Sequence, residues 1–319
     1  MLKKIFLCIL VLVAMIGSYH TISKASNYVV SKVSGTGEYG VNYINIYKNT
    51  PAWELALAVR EEKIETIEKI VKNKQELLNY QDPKYGVTLL LWSVGMEKYN
   101  SAETLLKCGA DPNIATTTDG ETPLFLAAGY SWVDKDYKKD ARYVKLLLSY
   151  GADPNKNYIG HDHDIIETGT SPLMNSIGCG IEKTKDLVEG GADINYKTKS
   201  GNTAAIVSLI IGGSYGNGEA MQYAYYLIAE KKVKINESYY GPENVIMPDD
   251  NPNDKFYPVN ILRNWIPKLD SDEYIMKMKI VDEFARQGVN YWNTKIPSNR
   301  LSQIKKIYPD TWEEYIKKY

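Results

Sequence analysis

Residues 122–128 read Thr-Pro-Leu-Phe-Leu-Ala-Ala, and residues 147–155 read Leu-Leu-Ser-Tyr-Gly-Ala-Asp-Pro-Asn. Each position has a physical task. Thr122 is expected to cap a helix, because its hydroxyl can accept an orphan backbone N–H; Pro123 then loses nothing, since that N–H has no helical partner. Leu and Ala give a short, thin helix that neighbours can approach closely. Leu147 and Leu148 form the apolar pair of a second helix, and Gly151 is expected to end it in the left-handed conformation that a Cβ resists.

The pattern returns on both sides. Gly109-Ala110-Asp111-Pro112-Asn113 and Gly191-Ala192-Asp193-Ile194-Asn195 repeat the stop, preceded by the pairs Leu105-Leu106 and Leu187-Val188. Thr88-Leu89-Leu90, Ser171-Pro172-Leu173-Met174 and Thr203-Ala204-Ala205 repeat the start, with turns at Asp119-Gly120 and Ser200-Gly201. This order resembles the ankyrin repeat, in which helix, turn, helix and projecting hairpin recur about every 33 residues. Cap-to-cap spacings are 34 from Thr88 to Thr122, 49 from Thr122 to Ser171 and 32 from Ser171 to Thr203. The long interval divides into roughly eight extra residues between the helices, around Trp132 to Ala141, and roughly eight in the hairpin, around Tyr158 to Ile166. The family's usual His after Thr-Pro-Leu is replaced by Phe125, Met174 and Ile206, so weaker hydrogen bonding between repeats is expected.

A divergent first copy is expected from Thr50 through Leu55, Ala58 and Val59 to Ile67, Ile70 and Val71. The copy that starts at Thr203 has Leu227-Ile228 as its apolar pair and carries Gly212 to Gly218 as an insertion between its helices. A degenerate sixth copy pairs Val259 to Leu262 with Ile280, Val281 and Gly288-Val289-Asn290. The expected fold is an all-α solenoid of five to six repeats with short hairpin fingers and a helical C-terminal cap. Its divisions are a signal peptide at 1–25, an arm at 26–49, repeats at 50–238, and the degenerate copy with its cap at 239–319. Tyr239 to Pro258 reads as a long loop, Asp272 to Gln287 as a helix, and Asp310 as the cap of a last helix holding Trp312 and Tyr315.

Lys3 and Lys4, the apolar run Ile5 to Ile16, and the small residues Ser23 and Ala25 follow the order of a secretory signal peptide. Export to the periplasm is therefore expected, with an uncleaved anchor as the competing reading and the one route to a membrane. Cys8 lies inside the apolar run and cannot serve for lipid attachment. Cys108 and Cys179 are expected as two buried thiols, since two stacked repeats hold their Cα atoms beyond disulfide reach.

The whole chain balances 38 Lys plus Arg against 39 Asp plus Glu and has 3 His. It therefore offers no basic field for nucleic acid and few imidazoles for a metal, and no cofactor, metal or small-molecule substrate is expected. The 26 Tyr and 6 Trp against 4 Phe favour a half-wet contact surface. Gly212-Gly213-Ser214-Tyr215-Gly216 matches the G-x-S-x-G pattern of a nucleophile elbow, but no His follows His163, and the run fits the first helix of a repeat. Gly35-Thr36-Gly37-Glu38-Tyr39-Gly40 lacks the helix that a phosphate site needs. His161-Asp162-His163-Asp164 could contribute part of a metal site, though partner contact by a hairpin tip is the favoured reading.

The resemblance places Tyr85, Glu121 and Tyr196 on the concave face and sets Tyr130 and Trp132 beside the groove. Trp132 could instead pack under the inserted loop. Tyr158, His161 and His163 belong to the inserted hairpin, whose removal from Tyr158 to Ile166 is expected to spare stability. Ankyrin-like stacks resemble binding scaffolds, so a protein partner is expected. An exported one is similar to periplasmic immunity proteins that neutralise secreted toxins such as type VI secretion lipase effectors. The alternatives are an envelope-stress accessory protein that assists a periplasmic enzyme such as a catalase, and a serine hydrolase using Ser214.

Overall fold

Thr88, Thr122, Ser171 and Thr203 do cap helices: their hydroxyl oxygens accept the backbone N–H groups of Leu91, Phe125, Met174 and Ile206 at 3.1–3.2 Å. The computed structural model describes residues 40–133, 139–162, 166–215, 218–239 and 255–319, with backbone alone at 214 and 215. The expected signal peptide, most of the arm, His163 and most of the loop after Tyr239 lie outside these residues. Every regular element among the described residues is helical, and no described helix is long and apolar enough to cross a membrane. Among the described residues, those from 40 to 193 and those from 194 to 319 form two separate compact units.

The described part of the first unit is a row of helix pairs. They are α1 (Trp53–Arg60) with α2 (Ile64–Asn73), α3 (Leu89–Gly95) with α4 (Tyr99–Lys107), α5 (Pro123–Ala128) with α6 (Arg142–Ser149), and α7 (Pro172–Asn175) with α8 (Ile181–Glu189). First helices touch first helices, as α1 on α3, α3 on α5 and α5 on α7, while α2 packs on α4 and α6 on α8. Leu105, Leu106, Leu147 and Leu187 are buried between the layers, and Leu148 is partly covered.

The stops are Schellman motifs. Gly109, Gly151 and Gly191 have φ of +96°, +83° and +92°, and the following alanines donate back to Leu105, Leu147 and Leu187 at 2.9–3.0 Å.

Beyond each stop runs a series of asparagine rungs. The Oδ1 atoms of Asn79, Asn113 and Asn155 accept the N–H of Asp111, Asp153 and Asp193 in the next repeat at 3.0, 2.7 and 2.7 Å. Asn113 and Asn155 also donate Nδ2 to Gly151 O and Gly191 O at 2.9 and 3.0 Å. Phe125 and Met174 are buried, as apolar replacements should be. Hydrogen bonding between repeats has moved to these rungs and to Asn175 Nδ2, which donates to Phe125 O at 2.9 Å.

In the second unit, α9 (Ala204–Tyr215) runs straight through Gly212 and Gly213, so part of the expected insertion is helix. Trp265 explains those glycines. Its indole lies where a Cβ on Gly212 would come within 2.3 Å, and its Nε1 donates to Leu209 O at 2.9 Å. Helix α10 (Gly218–Ala224) continues into a π-helical stretch, Tyr225–Glu230, that buries Leu227 and Ile228. The degenerate copy is formed by α11 (Pro258–Leu262) on α9 and α12 (Asp272–Arg286) on α10, and it ends at Gly288 with φ +83°. Helices α13 (Ser298–Ile307) and α14 (Trp312–Lys318) follow, with Ile304, Tyr315 and Tyr319 buried together.

Two expectations need correction, and the start of the first helix departs from the repeat pattern. Asp310 caps nothing: Thr311 holds the N-cap position, without a side-chain bond. Thr50 directs its hydroxyl to Tyr47 O and leaves the N-cap of α1 to Ala52. Cys108 is half-exposed at the C-cap of α4, while Cys179 is buried, and the two form no disulfide.

Candidate interaction surface

The hairpins ahead of the first helices are short fingers, each closed by its own side chains. In the first, the buried Asp82 carboxylate accepts the N–H of Lys84 and Tyr85 at 3.0 Å each and of Val87 at 2.7 Å. In the second, Thr116 N–H donates to Glu121 O at 2.9 Å, and Thr116 Oγ1 bonds the Asp119 carboxylate. In the third, which carries the insertion, Tyr158 N–H donates to Thr170 O at 3.0 Å and Gly169 N–H returns to Tyr158 O at 2.8 Å. Asp162 accepts Thr168 N–H at 2.6 Å.

The fingers also join one another. Thr117 N–H donates to Tyr85 O at 3.1 Å, Gln81 Nε2 to Ala115 O at 2.9 Å, and Ile159 N–H to Asp119 O at 3.3 Å. Glycine permits this contact. Gly86 and Gly120 each have φ +70°, and a Cβ there would meet Thr117 at 2.5 Å or Ile159 at 2.1 Å. The result is a ribbon of three fingers cross-braced through backbone groups and the Gln81 amide.

This ribbon separates the residues expected to touch a partner. Tyr85 is half-buried, with Lys84 Nζ 4.9 Å above its ring. Glu121 is half-buried at the foot of the second finger; burial first and the Asp119 charge second push its carboxyl up to about 8. His161 is exposed. Tyr158 is only 4% exposed and stacks on Phe125 with ring centroids 5.5 Å apart, while its hydroxyl donates to His161 O at 3.1 Å. Its ring anchors the third finger, so deletion from Tyr158 to Ile166 would remove core, contrary to expectation. The residue that the finger presents is Ile159, 72% exposed.

Tyr130 and Trp132 lie at the other end of the first helices. The Trp132 indole covers Gly95, where a Cβ would meet it at 2.4 Å, and the backbone N–H of Trp132 donates to Gly95 O at 2.9 Å. Tyr130 donates its hydroxyl to Gly178 O at 3.3 Å. Nearby, Glu97, Asp140, Tyr143 and Lys183 line a cleft with room of about 30 Å³. That is the volume of about one water molecule, against several hundred Å³ for a substrate pocket. Tyr196 belongs to the second unit, where it is half-buried.

Sequence reasoning missed Ile159, the rungs and Lys183. Lys183 is buried and donates to Gly129 O at 2.6 Å. Its signal was its place four residues before Leu187, on the buried face of α8. The serine reading fares poorly on backbone grounds, because Ser214 sits inside α9 and an elbow needs a strand, a sharp turn and then a helix.

Residues 55–158 match the family model described as ankyrin repeats, in three copies. The chain is also similar to Protein PhlB of Serratia liquefaciens, with 34% identity over 119 residues, which is 37% of this chain and 45% of PhlB. It thus spans less than half the length of that relative. Capped first helices, glycine stops and projecting fingers agree with the family match: the chain carries ankyrin repeats.

Proposed function

We propose that this protein is an exported binding module that neutralises a secreted antibacterial toxin, such as a type VI secretion lipase effector, by covering its active site. Ankyrin repeats form protein-interaction modules, and the observation that carries the reading further is the cross-braced ribbon with Ile159 at its edge. Fingers that are already ordered lose little conformational entropy on association. A large exposed apolar side chain with the exposed His161 on the same finger suits the centre of a protein contact. The export signal read at residues 1–25 supports a partner met in the periplasm.

The test is capture of the full chain's partner from its own cell envelope at moderate salt, repeated with Ile159→Asp. A toxin-like enzyme that is retained by the parent protein, inhibited by it and released by the variant supports the proposal. Retention of an envelope enzyme that stays fully active in the complex would replace it with the accessory role.

A further inference from the structure

The small cleft beside Tyr130 and Trp132 contains an unanswered hydroxyl. Tyr143, on α6, is only 7% exposed, and its Oη is buried at the cleft without a hydrogen-bond partner among the described residues. The ring is held edge-on against Tyr99, with centroids 5.3 Å apart. Val94, Leu126 and Ala127 are buried and give the cleft an apolar floor, while Glu97 and Asp140 stand half-buried beside them. The cleft is therefore apolar within and acidic where it meets solvent.

The resident cations are placed elsewhere. Lys183 donates to Gly129 O at 2.6 Å, and Arg142 pairs its Nε with Asp140 at 2.5 Å while its guanidinium carbon lies 5.0 Å from the Tyr99 ring centroid and 5.5 Å from that of Tyr143. Neither bonds the Tyr143 hydroxyl. Burial pushes that phenol well above its ordinary value; the Arg142 charge opposes the shift, and the charges of Glu97, Asp140 and Glu62 add to it. Three carboxylates thus face two resident cations around the cleft, and the hydroxyl keeps its proton. What fits here is small, positive and able to donate. A lysine head group meets all three conditions: it takes up about the volume of one water molecule, it carries N–H donors on every side, and its stem suits apolar walls. A guanidinium is a broad planar fork and needs more room. Water would answer the hydroxyl but leave the excess carboxylate charge unmatched.

We propose that this cleft receives one lysine side chain of the partner, whose ammonium donates to the Tyr143 hydroxyl and to the Glu97 carboxylate. The inference rests on the protein-binding reading above and adds to it a second point of contact, at the end of the first helices away from the fingers. An apolar contact at one end and a charged one at the other fix how a partner lies across the stack.

Methylammonium is the head of that side chain alone, so the site can be tested without the partner. NMR shifts of the Val94, Leu126 and Ala127 methyl groups are followed in the full chain while methylammonium replaces sodium at constant ionic strength. A saturable change at these methyls is expected, with a dissociation constant of about 10–100 mM, in keeping with what so few non-hydrogen atoms allow. Tetramethylammonium, of equal charge but too large, should leave them unmoved. Glu97→Gln and Tyr143→Phe should each weaken binding about tenfold or more, the usual loss for a hydrogen bond to a charged group. A flat titration, which would mean a resident water only, an equal response to tetramethylammonium, or unchanged binding in both variants would overturn the site. Should a variant fail to fold, the contrast between the two probes in the parent chain still decides. Because no partner is present, these outcomes are independent of toxin capture and of its loss in Ile159→Asp.

Discussion

Neighbouring residues of the third finger do opposite work. Tyr158 points into the stack against Phe125 and Ile159 points away from it. Tyr158→Ala should therefore lower unfolding stability by about 3–5 kcal/mol in denaturant melts, the usual cost of emptying a buried aromatic site. Ile159→Asp should change stability by no more than about 0.5 kcal/mol and weaken partner capture at least about tenfold in equilibrium binding. Glu121 carries the pH dependence of this surface. With a folded value of about 8 against an unfolded value near 4.3, its folded form keeps a proton that the unfolded chain gives up. Its contribution is complete below the unfolded value, declines as pH rises through that window and is exhausted above the folded value. Denaturant titrations between pH 4 and pH 9 should show this decline in the parent chain and lack it in Glu121→Gln.

At the scale of elements, the rungs fix the spacing of the stops. Asn113→Ala removes one acceptor and one donor and leaves Asp153 N–H and Gly151 O without that partner. Both groups are near water, so the loss should be about 1–2 kcal/mol in unfolding free energy. Much of this architecture was legible beforehand, because caps and stops are local: Thr122 needs only Phe125 N–H, and Gly151 needs only its own φ. What stayed hidden depends on distant chain. Nothing near Gly212 announces the Trp265 ring that keeps α9 helical through the supposed insertion, and nothing near Asn113 announces Asp153. The candidate surface was read less well than the helices. Tyrosine in a hairpin is equally at home as anchor or as contact, and only the stack on Phe125 decides for Tyr158.

For the whole molecule, the proposed role requires export and no catalytic serine. Expression with the native leader should yield periplasmic protein that begins at Ser26 by N-terminal sequencing, and Ser214→Ala should protect cells as well as the parent chain in a toxin challenge. Loss of protection in a folded Ser214→Ala protein would instead revive the hydrolase reading. The ribbon that joins Tyr85, Thr117 and Ile159 rests on main-chain groups, on the inward-turned side chains of Gln81, Asp82, Thr116 and Asp119, and on the bareness of two glycines. Side chains at its outer margin are therefore spectators of folding. A lineage facing a changing adversary could rewrite those tips from one generation to the next, while the helices behind them inherit an unaltered blueprint.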